Sequence, residues 1–263
     1  MLTFVGLGLF DGEDVSVKGL KHIEKADVVY AEFYTSRLMG ITIQELEEFY
    51  GREVDVLSRE DVEQAPGRNI LNDAQDKDVV FLTVGDPMIS TTHVDLRIRA
   101  YDKGIRTQII HGASITTAAC GLTGLQNYRF GKSATITFPY KKISAAPYNT
   151  VMANLRSDLH TLLFLDVQEE LMTINKGIEL LLHSEHERGR NQLASLLAVG
   201  IARAGASSPV IRADVLGRLK EHDFGPPLHV LIVPASLHFV EEEALQRFAG
   251  AHYVGDRKQS RAV

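Results

Sequence analysis

Cysteine is almost absent: Cys120 is the single thiol in 263 residues. An internal disulfide and a cysteine metal cluster are therefore excluded, and the usage fits a reducing compartment. Net positive charge is missing as well. The balance of −6 excludes nucleic-acid binding through general basicity, though not through a local basic patch. Long hydrophobic runs are also lacking. The longest, LASLLAVGIA at 193–202, is half of the roughly 20 residues that span a bilayer. The first residues, MLTFVGLGLF, have no basic leader and enter a strand pattern at once. These absences predict a soluble cytoplasmic protein with no membrane partner. Ten histidines are present, but no spacing among them forms a recognisable metal-ligand set, so no metal is expected.

Alternating strand and helix patterns fill the first half. Strands are predicted at 2–5, 28–30, 54–57, 79–84 and 105–110, with helices at 15–26, 43–49 and 92–103. The alternation predicts an α/β domain with a parallel, helix-covered sheet over 1–112. Beyond it, strands at 133–138, 162–166, 196–202 and 229–233 mix with helices at 113–122, 149–157, 169–182 and 239–249. That texture predicts a mixed α+β domain over 113–263. The last residues, GDRKQSRAV, read as a basic, mobile end.

Three small-residue turns follow apolar strands in the first half: Gly6-Leu7-Gly8, Gly85-Asp86-Pro87 and Gly112-Ala113-Ser114. In a parallel sheet such turns share the carboxyl edge, where ligands bind. They can form a backbone-rich wall for a flat polar cofactor, or they can mark only a tightly wound sheet. Asp86 can hydrogen-bond its own turn or meet a ligand. A dinucleotide fingerprint requires glycine or alanine at position 11, which is Asp11, so Gly6, Gly8 and Glu32 are a weak case for an NAD-dependent oxidoreductase. Cys120, in ITTAACGL, reads as a packed thiol rather than a nucleophile.

Particular stretches resemble a known family. GLGLFDGEDVSVKGL (6–20), AEFYTS (31–36), VLSREDVE (56–63), FLTVGDPMISTTHVDLRIRA (81–100) and HGASITTAACGLTGL (111–125) are similar to diphthine synthases. So are FGKSATI (130–136), HTLLFLD (160–166), GIARAG (200–205), PPLHVLIVP (226–234) and LHFVEEE (237–243). The first loop, GLGLFDGED, departs from the Gly-Pro-Gly-Asp-Pro type usual in tetrapyrrole enzymes of the wider group, which favours the diphthine branch.

The resemblance implies a two-lobed tetrapyrrole-methylase-like fold with the cofactor cleft between the lobes, and an S-adenosylmethionine-dependent methyltransferase. It implies a protein substrate, translation elongation factor 2, whose target histidine carries a 3-amino-3-carboxypropyl group. The amine would be methylated repeatedly to diphthine, a step toward diphthamide. Eukaryotic relatives add a fourth methyl as an ester, and the short chain looks archaeal, so three additions are expected. A homodimer is implied too. By resemblance the donor contacts fall on Leu9, Asp86, Ile89, Ser114, Ile115, Leu165, Ala204 and His229.

Taken without the resemblance, Leu9, Leu165 and Ala204 read as core, Ser114 as a helix cap and His229 as a satisfied structural group. Tyr140 and Tyr148 can offer ring faces to a methylammonium or be exposed loop residues. No catalytic side chain is assigned. The alternatives are a small-molecule methylase on the same fold, the oxidoreductase, and a non-catalytic binding protein.

Overall fold

The computed structural model describes residues 1–64, 68–168 and 170–251. The basic end read from GDRKQSRAV lies outside them. The chain divides into two units, Met1–Ile115 and Thr116–Val263.

In the first unit β1 (Leu2–Gly6) leads through α1 (Val17–Lys25) to β2 (Val28–Glu32). There follow α2 (Ile43–Tyr50), β3 (Asp55–Leu57), α3 (Arg68–Asp76), β4 (Val79–Thr83), α4 (His93–Asp102) and β5 (Thr107–Ile110). The strands pair in the order β3-β2-β4-β1-β5, all parallel. Side chains alternate across the pleat. Val5, Val29, Ala31, Val80 and Leu82 join Ile23, Leu46 and Tyr50 on one face. Leu2, Phe4, Tyr30, Val79 and Phe81 join Ile70, Leu71, Leu96 and Ala100 on the other. Both faces of the three inner strands β1, β2 and β4 are covered, which is why they read as largely apolar runs.

The expected strands and helices of this unit are present with small shifts at their ends. The addition is α3, RNILNDAQD, whose three buried apolar residues (Ile70, Leu71, Ala74) are diluted by asparagine and aspartate. Local propensity in such a stretch is weak, and packing on β1 and β4 supplies the helix.

In the second unit α5 (Ile115–Thr123), whose first residue closes the first unit, leads to β6 (Ala134–Ile136), α6 (Ala146–Arg156), β7 (Thr161–Leu165) and α7 (Ile174–His186). After these come β8 (Leu197–Ala202), β9 (Val210–Val215), α8 (Leu216–Leu219), β10 (His229–Val233) and α9 (Phe239–Ala249). The sheet order is β6-β7-β10-β8-β9, with only β6 and β7 parallel. The helix expected at 169–182 begins instead at Ile174, because Thr173 caps it through Lys176 N–H, and it runs on to His186. The helix expected at 149–157 begins at Ala146, with Pro147 in its first turn. β9 and α8 are additional to the expected elements. In β9 only Ala213 is buried and the other positions are half-buried except for exposed Arg212, so no alternation of buried and exposed faces leaves a clear periodic signal.

A buried ionic network ties this unit together. Glu241, fully buried, accepts from Arg129 Nη1 at 2.9 Å, His160 Nε2 at 3.0 Å, and the Gln126 and His238 N–H groups at 2.8 Å each. His160 Nδ1 in turn accepts from Ala235 N–H at 3.0 Å, so both ring nitrogens are in use. Burial alone pushes the Glu241 carboxyl up, but those hydrogen bonds outweigh it and the net displacement is downward.

Candidate functional site at the carboxyl edge of the parallel sheet

β1 connects to β2 in one direction across the sheet, and β4 connects to β5 in the other. The two neighbouring strands β1 and β4 therefore flank the topological switch point, where open α/β sheets take their ligands. The turns that leave these strands meet directly. Gly85 N–H donates to Gly8 O at 2.6 Å, Gly8 N–H to Gly85 O at 3.4 Å, and Leu7 N–H to Thr83 O at 2.9 Å. Gly8 and Gly85 have φ of 82° and 77°, the left-handed region. The third turn joins them. A Cβ on Gly112 would lie 2.4 Å from Gly85 O and 2.8 Å from Gly6 C. The glycines are thus required for the turns to approach one another. All three sequence-predicted turns of this unit come together at one place.

Asp86, 7% exposed, is held in that wall. Its Oδ1 accepts from Met88 N–H at 2.9 Å, closing an Asx-type turn, and Ile89 N–H donates to its main-chain carbonyl at 3.2 Å. Its Oδ2 accepts from His111 Nδ1 at 2.6 Å. With these two bonds the carboxylate, which has about four acceptor sites, keeps capacity for a further donor. His111, 71% exposed, was not singled out from sequence. Its one signal is that it precedes the Gly112 turn directly after β5, a strand buried only at Ile110. Ile89 is partly exposed on the same loop. Ser114 is buried directly before Ile115, the first residue of α5, and the positive end of a helix dipole suits a carboxylate. Leu9 is half-buried and its N–H is taken by Asp14 Oδ2 at 3.0 Å, leaving its carbonyl and side chain for contact. A backbone-lined edge with an acidic acceptor and a helix start fits a donor with amino, ribose and carboxylate groups.

In the second unit Leu165 ends β7 with its side chain in the core, and Ala204 lies in the turn after β8. His229 opens β10, where Nδ1 accepts from Ile174 N–H at 3.2 Å and Nε2–H donates to Pro226 O at 3.1 Å. The neutral ring caps α7, and burial holds its pKa below the usual histidine value. What these three can offer a ligand is main chain. Tyr148 is not a loop residue: it is buried in α6, and Arg188 already lies 5.2 Å from its ring centre. Tyr140 is exposed.

Cys120 is half-buried and donates to Thr116 O at 3.2 Å; burial raises its pKa, as in an inert packed thiol. Among the described residues no three His, Cys, Asp or Glu side chains gather as a metal site, and no helix is long and apolar enough to cross a membrane.

The geometry does not build an NAD site. Asp11 caps a short 3₁₀ turn over Gly12–Asp14, and α1 opens only at Val17. Glu32 is fully buried and accepts from Tyr34 N–H at 3.1 Å and Thr35 N–H at 3.0 Å, so it cannot reach a ribose.

His93 supports the Asp86 loop from beneath. Its Nδ1–H donates to Pro87 O at 3.1 Å, while Nε2 lies 3.7 Å from Glu32 Oε1 and has no partner among the described residues. Burial lowers its pKa to about 4. The native state therefore binds fewer protons than the unfolded chain between about pH 6.5 and 4, and stability falls as pH drops through that window. The shift corresponds to about 3 kcal/mol by pH 4. Glu32, raised by burial, acts with the opposite sign, so the diagnostic is a difference. Urea midpoints from pH 7.5 to 5 should fall more steeply for the wild type than for His93→Phe, and parallel slopes would refute this.

A parallel sheet with a topological switch point, followed by a mixed sheet, defines a two-sheet α/β class of protein. Comparison with known proteins narrows it. The family model "Tetrapyrrole (Corrin/Porphyrin) Methylases" matches residues 1–204. The diphthine synthase of Methanocella arvoryzae is 62% identical over 253 residues, covering 95% of this chain and 98% of that protein. That of Methanosarcina barkeri is 56% identical over 258 residues, covering 95% and 96%. A diphthine synthase crystal structure superposes with a TM-score of 0.90 at 50% identity, covering 95% of this chain and 96% of the other. The chain belongs to the diphthine synthase family, within the tetrapyrrole-methylase group of S-adenosylmethionine-dependent methyltransferases.

Proposed function

We propose that the chain methylates the amine of a 3-amino-3-carboxypropyl-modified histidine in translation elongation factor 2, three times, giving diphthine. The observation that carries this reading is the 62% identity with a diphthine synthase over 95% of the chain. S-adenosylmethionine, when bound, supplies an activated methyl group. In the first unit Asp86 would accept from the donor's amino or ribose groups. Ser114 and Ile115 would face its carboxylate at the start of α5, and Leu9 and Ile89 would pack against it. Leu165, Ala204 and His229 are the second unit's proposed contacts, through main chain.

Methyl transfer from a sulfonium calls for alignment at roughly 3–3.5 Å more than for a nucleophile. The substrate amine must be unprotonated, and exclusion of water lowers its pKa without a dedicated base. Proton loss to water or a nearby carboxylate suffices between rounds. The reading also places the protein in the cytoplasm as a homodimer. Val94, Ile98 and Tyr101, spaced along one exposed stripe of α4, support a face that a second copy covers.

Mass spectrometry of elongation factor 2 bearing the precursor should show successive single-methyl gains with the wild type. Asp86→Ala should weaken donor binding at least tenfold by calorimetry. No mass gain on the factor, with turnover of a tetrapyrrole, would transfer the chain to the small-molecule methylases.

A further inference from the structure

We propose that a groove beside the Gly6–Gly12 turn seats the carboxylate of the substrate's modified histidine, with Arg37 as its counter-charge. This rests on the methyltransfer reading above and deepens it. The groove, about 360 Å³, is lined by the apolar Phe33, Leu38, Ile41, Ile43 and Leu46, together with Thr42 and Arg37. Arg37 is its single charged lining residue and makes no hydrogen bond or ion pair with any described residue. Three other arginines of the unit are engaged, Arg52 with Glu24 O and Ala26 O, Arg97 with Thr107 and Arg99 with Asp95, whereas Arg106, also without a side-chain partner among the described residues, does not line the groove. The nearest acid on α2, Glu45, is committed to capping, accepting from Thr42 N–H and Oγ1 at 2.8 Å each. Arg37 is exposed beside an apolar floor, so an incoming carboxylate can reach its guanidinium and pair through two parallel hydrogen bonds.

The position of the groove is as informative as its charge. The 33–42 segment leaves the carboxyl end of β2, on the same edge as the three glycine turns. It is bound to the first of them, since Gly40 N–H donates to Phe10 O at 2.8 Å and the Phe10 ring packs on Gly40. Ile41 and Leu46 lie against Gly12, at 3.3 and 3.4 Å from where its Cβ would be. Leu9, a proposed donor contact, is the neighbour of Phe10. A substrate with an amine and a carboxylate on one carbon needs its carboxylate held to one side while the amine meets the methyl group. An apolar stem with a terminal carboxylate matches apolar walls and one guanidinium.

The test uses the full-length protein and precursor-bearing elongation factor 2. Arg37→Gln should raise KM for the factor at least tenfold while the Kd for S-adenosylmethionine, by calorimetry, stays within twofold of wild type. Arg37→Lys should recover part of the loss, since it restores charge without the planar fork. An unchanged KM in Arg37→Gln, with donor binding intact, overturns the groove assignment alone. A change of oligomeric state in light scattering overturns it too, by making the groove an interface between copies. Wild-type protein that binds no donor overturns the methyltransfer reading and the proposal with it.

Discussion

Gly112→Ala should destabilise the first unit by about 2–3 kcal/mol, toward the upper range for overpacking, and cut S-adenosylmethionine affinity at least tenfold. The added methyl would meet backbone, Gly85 O at 2.4 Å and Gly6 Cα at 2.9 Å, and neither is the free end of a flexible side chain. The turns after β1, β4 and β5 would have to separate, moving Asp86 and Ser114 with them. Gly121→Ala is the control. It lies inside α5 with open space around its Cβ, so it should be neutral or stabilising by up to about 1 kcal/mol through helix propensity. Urea titrations and donor calorimetry on both variants check the pair. Equal behaviour would mean that the three turns tolerate spreading and do not set the site.

Glu241→Gln carries the other large effect, a loss of about 3 kcal/mol in the second unit. The substitution keeps the shape but leaves Arg129 and His160 beside an uncharged amide, and turns an amide donor toward the Gln126 or His238 N–H. Breaking a buried ion pair from one side is costly because the remaining charge stays desolvated. The pH sign follows from the lowered carboxyl. Its folded pKa lies below the unfolded value, so its stabilisation is complete above about pH 4.3 and is lost as pH falls through the folded value. Unfolding midpoints at pH 7 and pH 3.5 should differ less in the variant than in the wild type. A variant with wild-type stability at pH 7 would show that the network contributes nothing net.

Much of the fold was legible because strands buried on two faces leave an unmistakable apolar run. β4, VVFLT, and β10, HVLIV, are read directly from sequence, as is helix 239–249, which Phe239–Ala249 matches. Elements that lean on tertiary packing were not. α3 has few apolar residues, β9 is mostly half-buried, and the start of α7 depends on Thr173 and on His229 from a strand 55 residues away. The candidate site divides the same way. Gly85-Asp86 and Ser114 announce themselves by following apolar strands. His111, His93 and Arg37 do not, because an isolated histidine or arginine carries no local pattern.

The sequence by itself determined the α/β order, the family and the three glycine turns, since these depend on short-range periodicity and on motifs read in line. Only the tertiary structure decided that the glycines serve contact between turns, that Asp86 is paired with His111, and that Glu32 is sealed away from any ribose. Strand order brings together residues far apart in the chain, as β1 and β4 do, and short-range pattern does not encode which atoms then touch.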